Sequence, residues 1–468
     1  MLFNTFSFVV FLVVVLAAYW LTPGWNRRKL VLLVASYLFY AAWSPPFVFL
    51  LFFVSWLNWV LARHMAATQE AYLRHGFLLA SLLSSLGLLS YFKYGTFLFA
   101  SFSDLVNALG GSFSPPELDI VLPIGISFYT FHALSYTIDC YRGRLVPNQS
   151  FSDFALYVGF FPQLVAGPIV RASNFMPQLL RQPLVSRDHW GWGGVLLLLG
   201  LFHKVVLADA IFAPVADQLY SAPGDASFGD AWLGVLAFSC QIYCDFAGYS
   251  TCAIGLSMLF GFALPENFQA PFAAVGFSDF WQRWHISLSS WLRDYLYISM
   301  GGSHAGHWST ARNLMLTMAI GGLWHGASWM FVIWGVLHGF YLVVERFVVS
   351  QLAFAGRYFS TVGLALGTFT IVTLTWIPFR SSDLAQATAV IEALFRPGNL
   401  QILPDQLLLL ISAVGALVFF QIRNRERSFS QVFQAWPLAA QSIWLSGAAL
   451  GLFLFSGGDS RGFIYFQF

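Results

Sequence analysis

From Phe6 to Leu21 the chain carries no charged residue, and comparable apolar runs recur along its length. They fall near residues 4–22, 29–43, 46–63, 76–100, 119–138, 191–212, 231–262, 312–325, 327–345, 360–379, 404–422 and 437–456. No other feature limits the fold so severely. About 20 apolar residues cross a bilayer as a helix, since in hydrocarbon every backbone amide must find a partner within the protein. Composition agrees: 23 basic and 21 acidic side chains make only 9% of 468 residues, against roughly 25% in ordinary soluble domains. The 58% of hydrophobic residues, divided into spans of about 20, set a ceiling near ~13 helices. With loops taking their share, the expectation is an all-α polytopic membrane protein of about 11 transmembrane helices, forming a single domain over residues 1–468. A soluble enzyme, a secreted disulfide scaffold, a coiled coil and a nucleic-acid binder are excluded.

Charge placement predicts topology. Arg27, Arg28 and Lys29, then Arg63 and Arg74, then Arg142 and Arg144 fall on one side when the intervening spans are counted. The positive-inside rule makes that side cytoplasmic and puts the N-terminus outside. Residues 213–230 hold Asp217, Asp225 and Asp230 without a Lys or Arg, which suits an external loop. The first run has no basic residue before it and no small-residue cleavage site after it, so it reads as a retained span. The stretch FSDFALYVGFFPQLVAGPIV (151–170) reads as re-entrant or interfacial. The 231–262 run, too long for one span, is expected to break around Asp245 to Gly248. Cys140, Cys240, Cys244 and Cys252 read as small packing residues, and no metal site is expected.

Polar groups at membrane depth are costly and mark function. His325 lies in AIGGLWHGASWMFVIWG, with no charge within a dozen residues on either side. His285 lies in FSDFWQRWHISLSSWLRDYLYI, where Trp281, Trp284, His285, Leu288, Trp291, Leu292 and Tyr295 recur at helical spacing. That spacing predicts one amphipathic, aromatic helix at the cytoplasmic interface. His338, 13 residues beyond His325, is expected to face elsewhere, and His132 and His203 read as structural. A neutral imidazole at depth is an unprotonated base, able to take a proton from a hydroxyl that attacks an activated acyl group. No nucleophile elbow, P-loop, His-Glu-x-x-His or dinucleotide fingerprint is present. The residues alone lead to a membrane enzyme or transporter with a histidine-centred cavity.

Several stretches resemble the membrane-bound O-acyltransferase family, and within it the branch that acetylates alginate and related exopolysaccharides. They are ASYLFYAAW (35–43), LPIGISFYTF (122–131), FPQLVAGPIVR (161–171), QIYCDFAGYSTCAIGLSMLFGFALPENFQAPF (241–272), FWQRWHISLSSWLRDYLYISMGG (280–302), GGLWHGASWMFVIWGVLHG (321–339) and FIYFQF (463–468). The resemblance implies a ring of tilted helices around a central funnel in the bacterial inner membrane. It implies His325 as the catalytic histidine and His285 as the second characteristic one. Acetyl groups would come from a cytoplasmic donor, acetyl-CoA, with no bound cofactor. They would pass to periplasmic acetyltransferase or acceptor proteins of a polysaccharide secretion complex, for alginate or cellulose. On that reading His285 positions the donor or polarises its carbonyl. Asn267, Gln282 and Trp324 are candidate oxyanion donors. Asp245 and Tyr249 line the cavity at the expected helix break, and Arg283 and Arg293 meet the anionic donor. A transporter or flippase is the rival class, on the strength of the broken helices; an inert scaffold is the third.

Overall fold

The computed structural model describes residues 1–114, 120–165, 167–304, 306–349, 361–455 and 461–464. The last four residues of the FIYFQF stretch lie outside the described residues. The secondary structure is helical, with no strand among the described residues. Seven helices there are long and apolar enough to cross a membrane: Pro45–Ala67, Ala71–Ala108, Arg187–Ser221, Trp329–Phe347, Thr361–Arg380, Pro404–Arg423 and Leu438–Phe455. Their outward faces carry large apolar side chains such as Phe49, Leu83, Phe419 and Phe453, as lipid-facing surfaces require.

The chain divides into two compact units, residues 1–193 with 256–264, and residues 194–255 with 265–468. In the first unit, Asn58 joins three helices. Its amide donates to Ser85 Oγ at 3.0 Å and accepts from Ser81 Oγ at 2.5 Å and Thr137 Oγ1 at 3.1 Å. Such side-chain bonds hold helices together where lipid removes the hydrophobic drive between them. The 151–170 stretch forms two short helices, Phe151–Gly159 and Phe161–Leu164. At about 1.5 Å per residue neither can span a bilayer, and their side chains are almost all buried. His132 accepts from the backbone N–H of Val170 at 3.2 Å, which ties the end of this segment down.

The second unit corrects one expectation. Phe228–Leu259 runs as one unbroken helix of 32 residues through Asp245 and Gly248. At about 48 Å it is longer than the roughly 30 Å hydrocarbon thickness, and most of its side chains are buried within the protein. Gly248 serves close approach instead: a Cβ there would lie 2.7 Å from the carbonyl oxygen of Gly200 on the neighbouring helix. That neighbour, Arg187–Ser221, is π-helical over Phe202–Phe212, a widened turn of the kind found at functional sites.

Candidate active site

His325 is the last residue of the His307–His325 helix. The chain then turns through Gly326 and Ala327, and Ser328 caps the Trp329–Val344 helix by accepting from Met330 N at 3.2 Å. The two helices pack backbone to backbone through Gly322 and Gly335, where any Cβ would collide with main-chain atoms of the partner helix. His325 thus sits at a rigid corner. Its ring is buried among Trp324 (5.1 Å), Trp334 (5.1 Å) and Phe379 (5.3 Å).

His285 is placed differently from the sequence expectation. The Phe277–Arg283 helix ends at Trp284, and His285 adopts a left-handed conformation, φ 44°, before the Ile286–Trp291 helix begins. A non-glycine residue held there is strained, and such strain concentrates at functional sites. The single amphipathic helix is therefore two helices joined at the histidine. His285 is fully buried within the protein. The turn is pinned to the 265–270 segment by two backbone hydrogen bonds: Ile286 N donates to Asn267 O and Gln269 N to Arg283 O, both at 2.9 Å.

The Asn267 side chain then sets the chemistry of His285. Its Oδ1 accepts from Ser287 N at 3.2 Å and from Ser287 Oγ at 2.8 Å, while its Nδ2 donates to Ser250 Oγ at 3.0 Å. A backbone N–H can only donate, so the amide orientation is fixed. Oδ1 lies 3.1 Å from His285 Nδ1, and that nitrogen must carry the hydrogen. The neutral ring keeps its lone pair on Nε2, which is buried and has no hydrogen-bond partner among the described residues. The centroids of the His285 and His325 rings lie 6.4 Å apart, with Trp324 5.9 Å from His285.

The remaining sequence candidates fall outside this pair. Asn267 gives one amide hydrogen to Ser250 and accepts from His285 and Ser287 through Oδ1, so in this structure it orients His285. Gln282 is exposed. Arg283 is buried and paired with Asp279 and Glu426, each at 2.8 Å; Arg293 is exposed and paired with Asp294 at 2.7 Å. With no helix break, Asp245 meets Lys204 rather than a cavity, and the Tyr249 ring packs on Phe463 at 4.7 Å. His338, expected to face away from His325, lies on the next helix, after the corner at Gly326. Its ring and that of His325 pack against the same Trp334 indole, at 4.7 and 5.1 Å. Sequence reasoning missed Lys204; an ammonium inside an apolar run, five residues before Asp209, was the available signal.

Two of the cavities in this unit lie beside the histidines. One of about 490 Å³ is apolar along Leu199, Ile254 and Phe420 and includes Ser250 and Asn267 in its wall. The other, about 770 Å³, is polar, bounded by Tyr220, Gln241, Ser328 and Arg380 and by Phe331 and Phe379, the latter in ring contact with His325.

Neither histidine itself lines these cavities: Asn267 stands between His285 and the apolar one, and Phe379 between His325 and the polar one. A buried imidazole pair flanked in this way defines a group-transfer centre within a membrane. Residues 18–377 match the family model of MBOAT, the membrane-bound O-acyltransferase family. The chain belongs to that family and is a multi-pass membrane O-acyltransferase. It is 38% identical to the probable alginate O-acetylase AlgI of Pseudomonas putida, over 99% of both chains. It is 35% identical to the peptidoglycan O-acetyltransferase of Helicobacter pylori, over 84% of this chain and 80% of that one. To the teichoic acid D-alanyltransferase of Streptococcus thermophilus it is 31% identical, over 47% and 56% of the two.

Proposed function

We propose that this chain is an inner-membrane O-acetyltransferase that takes acetyl groups from cytoplasmic acetyl-CoA and delivers them outward for esterification of an exopolysaccharide. The names of its relatives support a cell-surface or secreted polymer as the final acceptor. Alginate or cellulose is the polymer class, with periplasmic acceptor proteins as partners. One observation carries the chemical reading: two buried imidazoles lie 6.4 Å apart, and Asn267 holds one of them with its Nε2 lone pair bare.

His325 is the base or acyl-relay residue. His285 is a second proton acceptor rather than a polariser of the carbonyl, because polarising would need a hydrogen on Nε2. In the direct route the acceptor O–H proton passes to an imidazole nitrogen as the new C–O ester bond forms. The thioester C–S bond breaks, and the proton moves on to the departing sulfur. The apolar cavity suits the thin, amide-bearing arm of a thioester donor. There Gln421 accepts from Phe272 N at 2.8 Å and keeps Nε2 without a partner among the described residues. The polar cavity suits a polyhydroxyl acceptor.

The test is turnover by purified protein with donor and a soluble acceptor. His325→Ala and His325→Gln should both abolish acetyl transfer while remaining folded, since glutamine keeps hydrogen bonding but is no base. Undiminished transfer in His325→Gln removes the assignment. Orientation is tested by cysteine labelling in a cysteine-free background. Positions beside Arg27, Arg74 and Arg144 should be protected from an external reagent and those beside Asp225 labelled. An externally labelled Arg144 position reverses the direction of acetyl flow.

A further inference from the structure

Residues 461–464 are seated in the second unit by contacts to both backbone and side chain. Ile464 N donates to Asp245 Oδ2 at 2.7 Å, and Gly462 O accepts from Lys204 Nζ at 3.1 Å. Arg461 pairs with Asp217. Between the two backbone contacts, the Phe463 ring is fully buried against Tyr249 (4.7 Å) and Phe246 (5.6 Å).

The seat is built from charge at membrane depth. Lys204 is 3% exposed and lies on the π-helical turn, where residues five apart share a face. This brings Asp209 to 2.9 Å from its ammonium, while Asp245 approaches from the Phe228–Leu259 helix. An ammonium has three N–H donors, and here its three oxygen partners are Asp209, Asp245 and Gly462 O. The tail carbonyl thus completes the shell of a buried cation, and the tail amide satisfies its counter-ion. Buried ion pairs are poor sources of net stability, and their best attested use is to fix register. This one captures the backbone groups flanking Phe463, and so fixes where that ring goes. It goes against Phe246, whose ring stands edge-on to His285 with centroids 4.5 Å apart.

We infer that the 461–464 segment is a positioning part of the transfer site. Seated on Lys204 and Asp245, it uses Phe463 to hold Phe246 against His285. The inference rests on the reading that His285 serves acetyl transfer. The tail contacts described here reach His285 only through Phe246, so the role is positioning and not catalysis.

The experiment uses the full-length purified protein, acetyl-CoA and a soluble acceptor. Phe463→Ala leaves both backbone contacts in place. It should lower kcat on the order of tenfold, since small misplacements of a reacting group cost that much or more, with the donor KM unchanged. Ile464→Pro, which removes the N–H given to Asp245, should lower kcat in the same way. Phe463→Leu, which restores much of the volume but not the ring, should fall between the alanine variant and the native chain, several-fold below the native rate. Phe246→Leu tests the route, because in a chain of contacts the Phe463→Ala/Phe246→Leu double variant falls no further than the worse single variant. Full additivity of the two losses overturns the inference. So does wild-type kcat in folded Phe463→Ala or Ile464→Pro. Should the alanine variant fail to fold, Phe463→Leu replaces it in the cycle; the expected loss is then several-fold, and wild-type kcat again overturns the inference. His285→Ala separates the two readings. Its retention of full activity removes the role of His285 itself, whereas an inactive His285→Ala beside a fully active Phe463→Ala rejects the tail alone.

Discussion

Replacing Asn267 by alanine deletes four hydrogen bonds at once: three accepted by Oδ1, from His285 Nδ1, Ser287 N and Ser287 Oγ, and one given to Ser250. The backbone bond from Ile286 N to Asn267 O at 2.9 Å survives, so the turn at His285 keeps its main-chain anchor. Each buried polar group left without a partner costs about 1–3 kcal/mol. With the acceptor of the Ser287 backbone N–H and of His285 Nδ1 removed, the loss of stability should be about 2–6 kcal/mol. The catalytic effect has a different origin. In the native site the bond to Oδ1 selects the Nδ1–H tautomer; if it contributes about 1.4 kcal/mol, it favours that tautomer about tenfold. Without it, the neutral ring exchanges between tautomers and rotates more freely. Turnover should fall between about 10- and 100-fold once loss of orientation is added. Asn267→Asp is the discriminating control. It retains the acceptors facing His285 and Ser287 and puts an acceptor for the Ser250 hydroxyl in place of the donor. It also adds a carboxylate charge that favours the same Nδ1–H tautomer, so kcat should stay within a few-fold of wild type. The assay is donor thiol release with a soluble acceptor, run beside a thermal melt in detergent. If folded Asn267→Ala turns over at the native rate, or if Asn267→Asp is as slow as Asn267→Ala, the tautomer argument is refuted.

Two further outcomes follow from other parts of the site. Gln241 is buried in the wall of the polar cavity, and its Oε1 makes no hydrogen bond among the described residues. Gln241→Leu should therefore raise the acceptor KM severalfold with the donor KM unchanged, and a shift in the donor KM instead would exchange the assignments of the two cavities. Asp279 is partly buried, which favours its neutral form. Bonds from Val275 N, Arg283 and Arg425 outweigh that and hold its carboxyl below the usual carboxylate range. A folded value below the unfolded one contributes stability that is present above about pH 3.9 and lost as pH falls through the folded value. Detergent melts between pH 7 and pH 3 should show a smaller acid-induced drop in Tm for Asp279→Asn than for the native chain; parallel curves would contradict the pairing.

The class of protein was written in one dimension. Hydrocarbon demands long, charge-free stretches, so runs such as Pro45–Ala67 and Thr361–Arg380 declare helical spans wherever the rest of the chain goes. The isolation of His325 in such a run marked it for the same reason: an imidazole at depth is costly, and no local periodicity explains it. What the sequence could not set was everything that depends on partners distant along the chain. The 231–262 run read as broken around Asp245 to Gly248 because it is too long for one span. The carboxylate there instead meets Lys204, 41 residues before it, and the amide of Ile464, 219 after it, and the helix runs on. The helical spacing from Trp281 to Tyr295 hid a left-handed turn at His285, because periodicity reports which residues are apolar and not where φ changes sign. Asn267 and His285 are 18 residues apart, and nothing in either residue's neighbours says that one fixes the tautomer of the other. That pairing exists only once the 265–270 segment folds back on the turn. Burial, charge compensation and tautomer are properties of assembled space, and only the tertiary structure could decide them.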